Sequence, residues 1–190
     1  MFNLKYTFVL VLLIPFIINS QTPVKVENFK LKDYNGNVYQ LKDFKDSKAV
    51  VVMFIAVACP VSNGYNARME KLYEDYKDKG VAFLGVNSNK EDNAEAIKNH
   101  AAKNGLKFKI LKDEKNVIAD KFKASFTPEI YVLNNNSEIL YHGRIDDSRN
   151  ESKVTKTDLR MALDEILSGK KVSNAETKAV GCKISRVGEE

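Results

Sequence analysis

Apolar and polar positions follow two different periods along the chain, and the changes of period predict a succession of strands and helices. Residues 26–44 alternate around Asn35-Gly36, which predicts an N-terminal β-hairpin. Residues 48–57 form a nearly continuous apolar run rich in β-branched residues, as expected of a central strand buried on both faces. Residues 81–87 form another predicted strand.

Helical periodicity follows each of the predicted strands at 48–57 and 81–87. After Val61 the apolar positions recur every three to four residues up to a helix stop at Gly80; they are Tyr65, Met69, Leu72 and Tyr76. Ser88 and Glu91 form a capping-box pattern ahead of a second helix, which ends at Gly105.

The remaining pattern completes an α/β chain. It predicts strands at 106–111, 129–133 and 138–145, helices at 114–123 and 156–169, a loop at 146–154 and a polar tail at 170–190. The apolar stripe of the last helix consists of Leu159, Leu163, Ile166 and Leu167. Alternating strands and helices predict a mostly parallel sheet with helices on both faces, and the terminal hairpins add antiparallel strands.

The first 20 residues are typical of a secretory signal, since Lys5 precedes the apolar run "FVLVLLIPFII" and the small Ser20 closes it. An uncleaved membrane anchor is the alternative, but the run is short for a membrane span and Pro15 interrupts it. We therefore expect an exported protein, periplasmic or extracellular, with no stable membrane span after cleavage. The expected domain covers residues 21–169 and is followed by the tail.

Charge and length narrow the classes of function. The formal charge of +5 becomes +4 without residues 1–20, and basic and acidic residues are interspersed, as in "KLYEDYKDKG". Such mixing is typical of solvated helix faces and argues against a nucleic-acid partner. About 170 residues remain after the signal, which suits a single domain.

One of the two cysteines lies at a strand-to-helix junction, in "FIAVACPVSNGY". Unpaired backbone N–H groups at a helix start favour the thiolate form of Cys59, and Pro60 suits the first helical position. Chemistry in α/β proteins also concentrates at the carboxyl ends of strands. Cys59 is thus a candidate nucleophile, with a packed, inert cysteine as the alternative.

The segment "CPVS" has Ser62 where a C-x-x-C motif has its second cysteine. Ser62 either hydrogen-bonds the thiolate or exposes its hydroxyl at the helix start. A resolving thiol must come from Cys182 or from another molecule. A permanent Cys59–Cys182 bridge is the competing interpretation, since closing so long a loop stabilises a fold by about 4–5 kcal/mol in the chain-entropy model.

Four segments carry a resemblance to a known family over residues 23–185. They are "FIAVACPVSNGYNARMEKLYEDYKDKGV", "FTPEIYVLNNNSEILYHGRIDD", "LRMALDEILSGKKV" and "TKAVGCKIS". Together they resemble an exported branch of the thioredoxin-fold redoxins and peroxiredoxin-like (AhpC/TSA-type) proteins. The resemblance implies a thioredoxin-like mixed sheet, Cys59 as attacking thiolate and Cys182 as resolving thiol. It also implies disulfide or peroxide substrates, an unidentified thiol reductant and no cofactor.

The same resemblance assigns Thr127 and Pro128 to the substrate site. Thr127-Pro128 matches a turn whose proline is cis and lies against the reactive cysteine, so that the preceding backbone can pair with a bound peptide or thiol. The chain departs from the typical peroxiredoxin at Val52 and Ala56, where that group has proline and threonine. It departs from the typical thioredoxin at Ala58, where that group has tryptophan, and at Ser62.

Arg144 and the two histidines have open assignments. Arg144 is the best candidate for a cation beside the thiolate, or else a rim arginine paired with Asp146 or Asp147. His100 and His142 could join the cysteines in holding a soft Cu(I) ion in a copper- or client-binding module, although their spacing matches no standard ligand set. We therefore expect no metal site.

Overall fold

The computed structural model describes residues 24–188, so the signal predicted at residues 1–20 lies outside the described part of the chain. Its strands are β1 (Lys30–Asp33), β2 (Val38–Gln40), β3 (Ala49–Phe54), β4 (Val81–Asn87), β5 (Lys109–Lys112), β6 (Phe126–Thr127), β7 (Glu129–Leu133), β8 (Ile139–Gly143) and β9 (Cys182–Lys183). Its helices are α1 (Pro60–Asn63), α2 (Asn66–Tyr76), α3 (Ala94–Asn104), α4 (Val117–Phe122) and α5 (Asp158–Leu167), with 3₁₀ turns at Leu41–Phe44, Lys77–Lys79 and Glu151–Lys153.

A seven-stranded mixed sheet in the order β2-β1-β5-β4-β3-β7-β8 forms the centre of the molecule. Strand β3 lies between β4, its parallel neighbour, and β7, its antiparallel neighbour. The β4–β5 pair is parallel, whereas β1–β2, β1–β5 and β7–β8 are antiparallel. A second, two-stranded sheet joins β6 to β9.

The α/β class, the N-terminal hairpin and the central mixed sheet are confirmed, but the expectation of a mostly parallel sheet is wrong. Among the strand pairs within residues 24–188, only β3–β4 and β4–β5 are parallel. Apolar runs report that a strand is buried, not its direction, and β7 and β8 run antiparallel because a tight turn joins them.

Two apolar cores lie on opposite faces of the sheet. Alternate residues of β3 point to opposite faces, with Val51 and Met53 in one core and Val50 and Val52 in the other. Residues of α2, α3 and α5 cover the first face, whereas α4 and the segment around Phe29 cover the second. Fully burying each such side chain contributes about 1.5–3 kcal/mol, so β3 is firmly fixed between the layers.

The helices that follow β3 and β4 differ most from the sequence pattern. The helix predicted after Val61 is split into α1 and α2 around Gly64. Helix α3 starts later than the Ser88–Glu91 pattern predicted, because the Asn93 side chain accepts the Ala96 N–H and caps it. The Ser88 hydroxyl instead donates to Asp113 at 2.9 Å.

The apolar stripe of α5 is confirmed. Leu159 and Leu163 are buried, and Ile166 and Leu167 pack against the same core.

Among residues 24–188, no helix combines the length and apolar character that crossing a bilayer requires.

Candidate active site

Cys59 lies just beyond the point where the central strand leaves the sheet. Strand β3 ends at Phe54, and Cys59 is the N-cap of α1, with Pro60 at the first helical position as predicted. The Ser62 backbone nitrogen lies 3.3 Å from the Cys59 sulfur. A backbone N–H that has no partner within the helix therefore contacts the sulfur.

Ser62 contributes its backbone and not its hydroxyl to this contact. Its side chain is fully buried, so the exposed-hydroxyl alternative is wrong. The hydroxyl oxygen accepts the Ala56 N–H at 3.4 Å. Ser62 therefore connects the end of the strand to the first turn of the helix beneath Cys59.

Asp92, in the loop between β4 and α3, fixes the same turn. Its carboxylate is buried and accepts hydrogen bonds from the Val57 N–H at 2.9 Å and from the Asn87 side chain at 2.8 Å. The Asn63 side chain donates to the Val57 carbonyl at 2.9 Å. Both backbone polar groups of Val57 are thus held by side chains, which fixes the approach to Cys59.

Cys59 and Cys182 are joined in a disulfide that spans 123 residues of sequence, with their Cα atoms 6.0 Å apart. Cys59 is 5% exposed and Cys182 is half-buried. The structure thus brings the two predicted cysteines together.

Thr127 and Pro128 lie against this bond. Their peptide bond is cis, as the resemblance implied, and the Thr127 carbonyl oxygen lies 3.3 Å from the Cys59 sulfur. Thr127 is paired with Cys182 across the antiparallel β6–β9 ladder. The backbone expected to pair with a bound peptide is therefore paired with the chain's own tail.

Glu129 holds the start of β6 in place through hydrogen bonds to its backbone. Its carboxylate is 4% exposed and accepts the backbone N–H groups of Ser125 and Phe126 at 2.7 and 2.9 Å. The Tyr131 hydroxyl and the His142 ring donate to it at 3.0 and 2.7 Å. Burial by itself raises the pKa of Glu129, but these hydrogen bonds outweigh it, so the pKa lies below its ordinary value.

The tail docks through two glycines that allow close backbone approach. A side-chain carbon at Gly143 would overlap Thr177, and one at Gly181 would overlap the Thr127 carbonyl. The Thr177 N–H donates to the His142 carbonyl at 2.9 Å, which fixes the tail before Cys182.

After Cys182 the tail is fixed again. The Ile184 N–H donates to the Ser125 carbonyl at 2.9 Å, and the Ser185 N–H to the Asn89 side chain at 2.9 Å. Residues 178–183 thus lie between two anchored segments.

Arg144 does not pair with Asp146 or Asp147 as the rim alternative proposed. Its Nε donates to Asp158 at 2.7 Å, whereas Asp146 pairs with Arg68 at 2.5 Å. The hydrogen bond to Asp158 raises the pKa of Arg144. No hydrogen bond or ion pair in residues 24–188 links the Arg144 side chain to either sulfur, so its role beside the thiolate stays a prediction.

The two histidines make contacts of other kinds. His142 stacks on Tyr131 and bonds Glu129, and His100 lies between the Asn66 and Asn104 amides. Burial lowers the pKa of His100. Over the described part of the chain, no three or more His, Cys, Asp or Glu side chains are grouped as metal ligands would be.

Sequence reasoning missed Glu129, Gly143, Gly181 and Asp92. Only the glycines had a usable signal, because a glycine in or beside a strand often marks close approach of another backbone. The contacts of the two carboxylates depend on residues distant in sequence, and no local pattern reveals them.

The chain is similar to known proteins both in sequence and in fold. The chain is 29% identical to the thiol-disulfide oxidoreductase ResA of Halalkalibacterium halodurans over 113 residues, which are 60% of this chain and 62% of that protein. The crystal structure of a hypothetical protein from Sinorhizobium meliloti 1021 superposes with a TM-score of 0.83. The match covers 90% of this chain and 98% of that one, with 33% sequence identity.

The fold is also shared with a more distant structure. The thioredoxin domain of a thiol-disulfide oxidoreductase from Bacteroides vulgatus is 21% identical, with a TM-score of 0.57 over 64% of this chain and 87% of that one. The fold is therefore thioredoxin-like. The model of the AhpC/TSA family matches residues 23–142, which include Cys59 and the Thr127–Pro128 turn, and the chain belongs to that family.

Proposed function

We propose that this protein is an exported thiol-disulfide oxidoreductase in which Cys59 is the attacking thiolate and Cys182 the resolving thiol. The observation that carries the proposal is the Cys59–Cys182 bond at the start of α1, beside the cis Thr127–Pro128 turn. Family membership supports redox use of Cys59, which lies within the matched residues 23–142; Cys182 lies beyond them.

The reaction needs two exchange steps. The Cys59 thiolate attacks one sulfur of a substrate disulfide, a new Cys59–substrate bond forms, and the other substrate sulfur leaves as a thiolate that takes up a proton. The Cys182 thiolate then attacks the Cys59 sulfur, and the first substrate sulfur leaves. The substrate gains two electrons, and the protein is left with the Cys59–Cys182 disulfide until a thiol reductant restores it.

The surroundings of the two cysteines indicate which one attacks the substrate first. The Ser62 N–H donates to the Cys59 sulfur, and a donor at that position stabilises the charged form. No backbone N–H within residues 24–188 makes such a bond to the Cys182 sulfur. The thiolate form is therefore more strongly stabilised at Cys59 than at Cys182.

We assign substrate-positioning roles to four further residues. Thr127 and Pro128 border the Cys59 sulfur, and the Ser62 N–H orients that sulfur. We also propose Arg144, whose Nε is held by Asp158, as the cation that attracts an anionic group on a substrate.

Peroxides are the second candidate substrates, because the same two cysteines could reduce them. Attack on a peroxide would oxidise Cys59 to a sulfenic acid and release an alcohol or water, and Cys182 would then condense with it to release water. Ala56 has no hydroxyl to polarise a peroxide, and the Ser62 hydroxyl, which accepts the Ala56 N–H, is fully buried. We therefore rank disulfide exchange first.

Export is proposed from the sequence of residues 1–20 and agrees with the disulfide, which persists in oxidising compartments. The domain limits at residues 21–169 and the tail at 170–190 remain predictions. The tail contacts the domain at Val172, at Ala175–Thr177 and at Cys182–Val187.

Intact mass after thiol alkylation tests the redox pair. The mature protein is treated in parallel with mild reductant, strong reductant, and one equivalent of a peptide disulfide after reduction. We expect both thiols to appear under mild reduction of the folded protein and to disappear together when substrate is added.

Two variants separate the roles. The Cys182→Ser protein should accumulate a Cys59–substrate adduct that the parent resolves, and Cys59→Ser should form no adduct. If neither thiol can be alkylated until the protein unfolds, the bridge is structural and the proposal fails. If Cys182→Ser turns over as fast as the parent, Cys182 is not the resolving thiol.

A further inference from the structure

Strand β9 lies in a groove that is shaped for an extended polypeptide. One side of the groove is the backbone of Ser125–Thr127, and its floor is the Cys59 sulfur, 3.3 Å from the Thr127 carbonyl. Glu129 binds the N–H groups of Ser125 and Phe126. The Ser125 carbonyl accepts the Ile184 N–H at 2.9 Å, so a strand laid here is held by backbone hydrogen bonds.

The position before the cysteine admits almost no side chain. Gly181 precedes Cys182, and a carbon atom attached to it would overlap the Thr127 carbonyl, which is backbone and cannot rotate away. Any polypeptide that brings its own sulfur to Cys59 in the same register meets the same restriction.

Two positions after the cysteine, the groove is apolar. Ile184 is 4% exposed and belongs to the same buried cluster as Phe122 and Ala124. Lys183 between them is exposed and unrestricted. The groove thus selects a small residue, then the cysteine, then any residue, then an apolar one.

The tail segment that leads into this groove is lightly attached. Residues 178–180 are exposed or half-buried, and none of the hydrogen bonds in the described part of the chain involves them. Between Thr177 and Ile184 the segment is held by the β6–β9 pairing and the disulfide. Reduction removes the covalent part of that attachment.

We propose that β9 is an internal stand-in for the substrate, and that Cys59 acts on cysteine-containing extended segments with the pattern small-Cys-any-apolar. This inference rests on the proposed function and names its substrate class. Resolution is then a strand exchange. As the Cys182 thiolate attacks Cys59 and the Cys59–substrate bond breaks, β9 takes the place of the substrate strand on β6, and the substrate leaves as a thiolate.

The test uses full-length, reduced Cys182→Ser protein and three peptides whose cysteine carries a thionitrobenzoate group. One peptide has the sequence of residues 179–185; the second has valine in the glycine position, and the third has aspartate in the isoleucine position. Cys59 attack on the peptide sulfur releases coloured thionitrobenzoate, and intact mass identifies the peptide adduct. We expect the first peptide to react at least about tenfold faster than either variant, as a misfit in a shaped pocket costs about tenfold or more.

A second variant tests whether the tail competes with the peptide for the groove. Adding Gly181→Ala to the Cys182→Ser chain should displace β9 and raise the rate with the first peptide. Gly188→Ala, in the same tail but with open space around it, should not raise that rate. In the chain that keeps Cys182, Gly181→Ala should slow the resolution step.

The failures are distinguishable. Equal rates for the three peptides with the Cys182→Ser protein would overturn the substrate pattern while leaving the thiol chemistry intact. If Cys59 reacts neither with the peptides nor with the small disulfide dithiobis(nitrobenzoate), the proposed function itself fails. The peptide panel does not depend on the Gly181→Ala variant folding.

Discussion

The Glu129 carboxylate accepts a hydrogen bond from His142 at 2.7 Å, one strand away in the sheet. The same carboxylate binds the backbone of Ser125 and Phe126, and the His142 backbone binds tail residues Ala175 and Thr177. Glu129 and His142 thus connect the strand beside Cys59 with the anchored start of the tail.

Glu129→Gln should therefore destabilise the protein. An amide has one acceptor oxygen instead of two, so at least one pair of hydrogen bonds is lost, and we expect a decrease in the free energy of unfolding of about 2–4 kcal/mol at pH 7. Chemical denaturation measures it. The matched variant Glu176→Gln, on the exposed tail, should change the free energy by less than about 0.5 kcal/mol.

The Glu129 carboxylate should also make stability dependent on pH. Its pKa in the folded protein lies below the ordinary value of 4.5, so its contribution is complete above pH 4.5 and is lost as the pH falls through the lowered value. Denaturation from pH 7 to pH 3 should show a steeper loss in the parent than in Glu129→Gln. Identical slopes would contradict this assignment.

Thr127→Val should be tolerated or should stabilise the oxidised protein. The Thr127 hydroxyl is buried and has no hydrogen-bond partner among residues 24–188. Removing an unsatisfied buried hydroxyl with conservation of shape should raise the free energy of unfolding by about 1 kcal/mol. Thr155→Val, where the hydroxyl bonds Asp147, should instead lower it. A loss at Thr127 larger than at Thr155 would show that its hydroxyl has a partner.

Gly143→Ala should detach the start of the tail. Gly143 has a φ of +146°, and a methyl group there would overlap Thr177. Gly105 also has positive φ but has open space around it, so Gly105→Ala should cost only about 1–2 kcal/mol of backbone strain. Hydrogen exchange at the Thr177 amide should accelerate in Gly143→Ala and not in Gly105→Ala. Protection of that amide in both variants would contradict the close contact.

Arg68→Met should strongly destabilise the loop after β8. The Arg68 side chain is 11% exposed, lies 2.5 Å from Asp146 and donates to the carbonyls of Ser148 and Arg149. Leaving Asp146 buried without its cation should cost about 3–5 kcal/mol. Lys71→Met removes a pair with Asp75 in which Lys71 is 70% exposed, so thermal and chemical denaturation should show a change below about 1 kcal/mol.

Local patterns predicted the elements well where burial alone decides them. The six residues of β3 lie within the predicted run 48–57, and the stripe of α5 and the helix stops at Gly80 and Gly105 match the structure. Local patterns failed where a side chain has several possible partners. Ser88 resembled a helix cap, but Asn93 lies closer to the start of α3, and Asp113 takes the Ser88 hydroxyl.

The tail shows the same limit more clearly. Its sequence is polar and has no regular period, so the pattern predicts only a tail over residues 170–190. In the structure it is anchored at Thr177, at Cys182–Lys183 through the disulfide and the pairing with β6, and at Ile184–Ser185, which leaves residues 178–181 between these anchors. Backbone pairing and close approach at glycine depend on neighbours that the sequence does not reveal.

The sequence by itself determined the α/β class, the position of Cys59 at the end of the central strand, and Cys182 as the second sulfur, because periodicity and residue chemistry are local properties. The tertiary structure decided the strand directions, the Glu129 contacts and the occupation of the Thr127 backbone by β9. These features arise from hydrogen bonds and close packing between segments up to 123 residues apart, and such contacts exist only once the chain has folded.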